Sequence, residues 1–212
     1  MTTTAGGDDA EQFWEKRYRT RRTWGGRPNP LLVEIAEPLT PGSALDLGCG
    51  PGGDTSWLAQ RGWQVTAVDI SSTAVEQVGA HAAEVGVGHR VTARQHDLAR
   101  TFPTGTFDLI SAQYFHTPLP LDRSRALRTA AQALRPGGLL LVVDHGSTAP
   151  WSWNQDPEIH YPTPTEVAAE LDLDPERWPV RRADMPQRRA TGPGGRTATV
   201  TDNVLLIQRA AG

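Results

Sequence analysis

The segment Ala44-Leu45-Asp46-Leu47-Gly48-Cys49-Gly50-Pro51-Gly52-Gly53-Asp54 leaves the chain around it few choices. Ser43 to Leu47 reads as a short buried strand that runs into a turn so rich in glycine that the backbone can take left-handed conformations closed to other residues. A helix from about Asp54 to Gln60 follows, with Gly52 and Gly53 small enough to let it settle on the strand. Glycines at 48 and 50 also remove the side chains that would hold a bound molecule away from the backbone. Strand, open loop and helix in that order are the first half of a βαβ unit.

The alternation continues downstream. Gln64 to Asp69 reads as a second strand, and Ser71 caps a helix running to about Val85. Arg90 to Gln95 and Thr106 to Ala112 are the third and fourth strands, Asp122 to Leu134 is a helix stopped by Pro136, and Gly138 to Val143 is the fifth strand. Parallel strands need crossovers, and the crossovers here are helical, so the simplest topology is an α/β, doubly wound, mostly parallel sheet.

At 212 residues a single domain is expected over 1–212. Residues 1–40 make a helical N-terminal segment, with Phe13, Trp14, Arg17 and Tyr18 at helical spacing and a second short helix over Leu31 to Glu37, while residues 1 to 7 read as disordered. Residues 41–146 are the ligand-binding core. Residues 147–212 hold a Pro- and aromatic-rich loop, a helix opening at Thr165, and two strands, Trp178 to Met185 and Ala198 to Arg209, turned back antiparallel through Thr191-Gly192-Pro193-Gly194-Gly195. A net charge of −3 argues against a nucleic-acid footprint. No apolar run reaches the roughly 20 residues of a membrane span, and the first forty residues lack a signal-peptide layout, so a cytoplasmic protein working on a small molecule is expected. Cys49 is the only cysteine and cannot close an internal bridge.

Which ligand the turn takes depends on the acids around it. Gly48, Gly50 and Gly53 also satisfy the G-x-G-x-x-G of nicotinamide and flavin enzymes, so the glycines alone leave an oxidoreductase open. Asp46 stands two residues before Gly48, where a carboxylate suits a cationic group and is unhelpful beside a pyrophosphate; it can equally serve the turn's own amides. Asp69 ends the second strand, placed to accept both hydroxyl hydrogens of a ribose, and Asp97 follows the third, placed to accept from an adenine amino group. A cationic head, a ribose and an adenine without phosphate describe S-adenosylmethionine.

The residues that carry this reading also carry a resemblance. Asp46-Leu47-Gly48-Cys49-Gly50-Pro51-Gly52, Val68-Asp69, His96-Asp97-Leu98, Phe107-Asp108-Leu109-Ile110 and Leu134-Arg135-Pro136-Gly137-Gly138 together resemble the class I S-adenosylmethionine-dependent methyltransferases over about residues 10 to 209. Phe13-Trp14-Glu15-Lys16-Arg17-Tyr18, with Trp24 and Asn29-Pro30, is similar to the lid helix and cofactor-facing loop of the tellurite-resistance and thiopurine methyltransferase branch. The resemblance implies a seven-stranded sheet whose last strand is antiparallel and inserted beside the fifth. It implies cofactor contacts from Asp46, Gly48, Cys49, Gly50, Gly52, Asp69, Ile70, Asp97, Leu98, Gln113 and Trp24.

Methyl transfer from a sulfonium is an in-line displacement, so the protein must align the acceptor with the methyl group and supply a base only if the acceptor loses a proton. The carboxyl edge after the fourth strand carries Tyr114 and His116, and after the fifth Asp144 and His145. His116 and His145 are the candidate bases, either of which can instead be a histidine bonded to local backbone. A metal held by Asp144, His145 and His116 would need three converging ligands, and none is expected. Tyr114, Trp151, Trp153 and Tyr161 are candidates to line the acceptor, the loop aromatics serving equally well to pack the loop on the sheet. The acceptor is a small-molecule nitrogen, oxygen, sulfur or heavier chalcogen nucleophile. A nicotinamide-dependent oxidoreductase, or a non-catalytic cofactor-binding protein of the same fold, are the alternatives.

Overall fold

A computed structural model describes residues 5–20, 27–152, 155–156 and 158–211. In chain order the elements are α1 (Ala5–Thr20), α2 (Pro30–Ala36), β1 (Ser43–Leu47), α3 (Gly53–Gln60), β2 (Gln64–Asp69), α4 (Ser72–Glu84) and β3 (Val91–Gln95). Then follow β4 (Phe107–Gln113), α5 (Arg123–Gln132), β5 (Leu134–His145), α6 (Pro164–Leu171), β6 (Val180–Asp184), β7 (Gln187–Thr191) and β8 (Thr197–Gln208). The strands lie in the order β3-β2-β1-β4-β5-β8-β6, with β7 paired to β8 off that path. β1 to β5 are mutually parallel, and β8 runs antiparallel to β5 between it and β6, as the resemblance implies.

Strand alternation builds two cores. Leu45, Leu47, Ile110, Leu140 and Val142 face α5 and α6, where they meet Leu127, Ala130, Val167 and Leu171. Ala44, Leu109, Leu141 and Val143, one residue out of phase, face α2 and α3 and meet Leu32, Leu58 and Trp63. Because successive side chains on a strand point to opposite faces, a fifth strand buried on both faces needs an unbroken apolar run, which Leu139 to Val143 supplies. Truncating Leu140, fully buried among these residues, to alanine would cost about 2–5 kcal/mol.

Three boundaries differ from the expectation. The stretch after β6 forms an additional strand, β7, making eight where seven were expected. Pro186 interrupts the run, and of Gln187–Thr191 only Ala190 is buried, so no apolar alternation marks it. α1 begins at Ala5 although Gly6 and Gly7 are poor helix formers, so residues 5–7 are helical rather than disordered. β5 starts at Leu134, with its register against β4 shifting between Phe107 and Leu109, four residues before the expected Gly138. Ser71 caps α4 as expected, accepting from Ala74 N at 3.2 Å.

The sheet's winding reverses between β1 and β4, since the chain proceeds to β2 and β3 on one side and to β5 on the other. A crevice at the carboxyl ends of β1 and β4 is where open α/β sheets take their ligands.

Candidate active site

The turn after β1 is left-handed at Gly48 (φ 66°), Gly50 (φ 50°) and Gly52 (φ 89°). Its fold is fixed by short bonds: Cys49 N donates to Val68 O at 3.0 Å and Gly52 N to Cys49 O at 3.1 Å. A Cβ on Gly52 would stand 2.9 Å from Val78 Cγ2, which makes this glycine a packing contact between α3 and α4. Gly48 borders a cavity of about 390 Å³, and Gly50 is covered by the Tyr18 hydroxyl. Cys49 is buried against Ala67 and Val78, and burial holds its thiol well above the ordinary range, where it stays protonated.

Three carboxylates surround this turn, Asp46 and Asp69 buried and Asp54 half-buried. Asp46 accepts from Thr55 Oγ1 at 2.6 Å and from no amide of the turn's glycines, so it does not act as the turn's own brace. Asp54, at the start of α3, accepts from Asn29 N at 2.6 Å. Asp69 accepts from Gly50 N at 3.1 Å and Ser71 N at 3.0 Å. None of the three has a salt bridge to a cation among the described residues. Burial drives all three upward: Asp46 to about 7, with Asp54 and Asp69 nearby adding to it, and Asp54 and Asp69 each to about 6. A cluster of acids held this way is a built site for a cationic group and a poor one for a pyrophosphate. The Ile70 amide and the Tyr18 hydroxyl also favour its charged form, so with about four acceptor positions Asp69 takes ribose hydroxyls by sharing or displacing these contacts. These residues fit S-adenosylmethionine.

The cavity joins several expected residues. Asp69, Ile70, Asp97 and Leu98, from the ends of β2 and β3, and Tyr114 and His116, from the end of β4, all line it. Asp97 accepts from Ala99 N at 3.0 Å and stands 3.4 Å from Arg100 Nε. Tyr114 has a positive φ of 50° that turns the chain at the end of β4. Its hydroxyl donates to Asp202 Oδ1 at 2.9 Å and accepts from Arg188 at 3.0 Å, and its ring stacks on His145 at 4.3 Å. His116 also stacks on His145 at 5.5 Å, with Nδ1 3.8 Å from Asp144 Oδ1. Two-fifths of the His116 side chain is open, yet desolvation, then Arg123 and His145, push its pKa down to about 3, so the ring is neutral. Asp144 itself is held by Arg123 at 2.6 and 2.7 Å.

Other expected residues stand elsewhere. Gln113 accepts from Asn29 Nδ2 at 2.8 Å and donates to Ser111 Oγ at 2.9 Å, so it ties the start of α2 to β4 and does not line the cavity. His145 is behind His116 and outside the lining. Trp151 lies flat against Gly192 of the β7–β8 connection, where no side chain would fit, and Tyr161 shares a hydrogen bond of 2.9 Å with Thr148; both serve loop packing away from the cavity. Trp24 and Trp153 lie outside the described residues. The cavity is lined as well by Trp14, Phe115, Thr117, Pro120 and Leu121. Asp54 was not singled out by its sequence, although its place directly after the glycines, in the first turn of α3, is a signal for it.

Comparison with known proteins agrees with this geometry. Residues 44–138 match the family model of a methyltransferase domain. A ubiquinone biosynthesis O-methyltransferase of Caulobacter sp. (strain K31) is 37% identical over 101 residues, 47% of this chain and 39% of that protein. A solved structure from work on conversion of a disulfide bond into a thioacetal group during echinomycin biosynthesis superposes with a TM-score of 0.70 at 24% identity, covering 94% of this chain and 93% of that one. Magnesium protoporphyrin IX methyltransferase from Synechocystis PCC 6803 with bound S-adenosylmethionine superposes with a TM-score of 0.65 at 19% identity, covering 99% and 100%. Residues 44–138 thus match a methyltransferase domain, and the chain shares the fold of the S-adenosylmethionine-bound methyltransferase structure on which it superposes. The chain spans about two fifths of the length of that Caulobacter relative. The finer tellurite-resistance and thiopurine branch is not singled out.

Proposed function

We propose that this chain transfers the methyl group of S-adenosylmethionine to a nitrogen, oxygen, sulfur or heavier chalcogen atom of a small molecule. The observation that carries the reading is the trio Asp46, Asp54 and Asp69 at the sheet's switch point, the first and last buried and Asp54 half-buried, all without cationic partners among the described residues, with Asp69 lining a cavity. Asp69 accepts the ribose hydroxyls, Asp97 the adenine amino group, and the turn from Gly48 with Asp46 behind it receives the methionine end. When bound, the cofactor supplies a methyl carbon on a positively charged sulfur, which leaves as a neutral thioether.

The chain's remaining task is alignment and dryness. Phe115, Pro120 and Leu121 present an apolar wall to the acceptor, and Trp14 closes over it from α1. His116, neutral and on the lining, is the residue placed to take a proton from an acceptor that must lose one, with Asp144 near its other side. Release of S-adenosylhomocysteine across thiols, phenols, heterocyclic amines and chalcogen oxyanions, with cofactor titration alongside, tests the reading. Turnover on one class supports it and names the acceptor chemistry. Tight cofactor binding with no turnover favours a non-catalytic protein, and binding of a nicotinamide dinucleotide in its place favours an oxidoreductase.

A further inference from the structure

α1 lies over the cavity and is tied down along the stripe beside its own lining face. Ala10, Trp14 and Tyr18, spaced four residues apart, share one face of the helix and line the cavity. Glu15, next to Trp14, points instead into the first turn of α4. Its carboxylate accepts from Ser71 Oγ at 2.5 Å, from Ser72 Oγ at 3.3 Å, from Thr73 N at 3.3 Å, and from the Thr73 hydroxyl. Desolvation works against its charge, but the bonds from Ser71 and Thr73, with Arg19 at 3.3 Å, bring its pKa down to about 2. A carboxylate at the start of α4 meets unsatisfied amides and the positive end of the helix dipole. Here it comes from another helix, so the cap is a tertiary clasp. Two lesser ties flank it: Trp14 Nε1 donates to Thr117 Oγ1 at 3.2 Å, and Gln95 Nε2 to Glu11 at 3.0 Å.

The clasp and the ribose acid meet in one residue. Ser71 gives its amide to Asp69 and its hydroxyl to Glu15. We infer that Glu15 is a positioning residue whose clasp on Ser71, Ser72 and Thr73 holds α1 shut over the cofactor, so that cofactor and product exchange only when this clasp opens. The inference rests on the reading that the cavity takes S-adenosylmethionine. A glutamate that served only to stabilise the fold would change the melting temperature and leave exchange rates alone.

The test is stopped-flow tryptophan fluorescence of the full chain, with S-adenosylhomocysteine as the probe, on wild type, Glu15→Ala, Glu15→Gln and Thr73→Val. Glu15→Ala is expected to speed dissociation about tenfold or more, equivalent to ~1.4 kcal/mol. Glu15→Gln, which keeps an acceptor but loses charge, falls between Glu15→Ala and wild type, and Thr73→Val shifts the rate in the same direction by less. The double variant Glu15→Ala/Thr73→Val dissociates no faster than Glu15→Ala, because both changes open one clasp. A lowered melting temperature with dissociation within about twofold of wild type overturns the inference. If Glu15→Ala does not fold, Thr73→Val decides alone, an unchanged rate overturning it. Failure of the wild-type chain to bind S-adenosylhomocysteine overturns the cofactor reading and the inference with it, whereas binding with unchanged variant rates overturns the inference only.

Discussion

Asp69 Oδ2 accepts the Gly50 amide at 3.1 Å, so the acid that ends β2 is oriented by the turn that ends its neighbour β1. Two consecutive β-strands thereby share one rigid corner, and the carboxylate is aimed before any ligand arrives. Replacing Asp69 with alanine removes the charged acceptor of two hydroxyls and frees the Gly50 and Ser71 amides. Affinity for S-adenosylhomocysteine is expected to fall by about 2 kcal/mol or more, about 30-fold, because hydrogen bonds to charged groups are worth ~1.5–3 kcal/mol each. Isothermal calorimetry showing affinity equal to wild type would remove Asp69 from the site.

The same acids set a pH dependence. Asp46 sits at about 7 and Asp54 and Asp69 at about 6, above an ordinary 3.8, so the free protein holds protons there that the unfolded chain has already lost. Their contribution to stability is fully present below about pH 4 and is lost as pH rises through 6 to 7. A cationic ligand needs the ionised forms, so S-adenosylmethionine affinity rises over that same interval, by up to about tenfold per pH unit for each proton that must leave. Titrations from pH 5.5 to 8 should show the rise, and Asp46→Asn should flatten its upper part. Affinity that is level across the interval would mean that these carboxylates do not meet the cation.

Much of this site was legible because its determinants are local. A strand, four glycines and acids at strand ends follow one another within a few dozen residues, and the unbroken apolar run Leu139 to Val143 announces burial on both faces. What escaped depends on contacts between distant segments. Gln113 looks like a cofactor ligand until Asn29, 84 residues earlier, occupies it. Trp151 looks like an acceptor wall until the backbone of Gly192 comes under its ring. β7 escaped because its side chains are mostly exposed and carry no apolar alternation, its pairing being supplied by β8. Tyr18 read as one face of a helix, and only the closure of α1 onto the turn puts its hydroxyl over Gly50.

His116 gives a kinetic prediction. With its pKa near 3, the ring stays neutral throughout the working range, so the pH profile of kcat should have no limb between pH 5 and 8 from this residue. His116→Ala should leave S-adenosylhomocysteine affinity unchanged and lower kcat on acceptors that lose a proton, with little effect on those already deprotonated. Equal losses on both acceptor types would assign His116 to packing against His145 instead.

Gly52 separates packing from binding within the turn. At φ 89° an alanine is strained, and its methyl would press on Val78 Cγ2 at 2.9 Å and the Val78 backbone at 3.2 Å. Because Val78 is fully buried in α4, neither helix can yield without disturbing the core. Gly52→Ala should therefore destabilise the protein by about 1–3 kcal/mol, the usual cost of a residue held in a sparsely populated backbone region. At this chain length each kcal/mol lowers the melting temperature by about 2–4 °C. The folded fraction should bind S-adenosylhomocysteine within about twofold of wild type, since Gly52 packs α3 on α4 and does not border the cavity. A large loss of affinity at an unchanged melting temperature would make Gly52 a ligand contact, and would extend the cofactor-facing part of the turn from Gly48 to the start of α3.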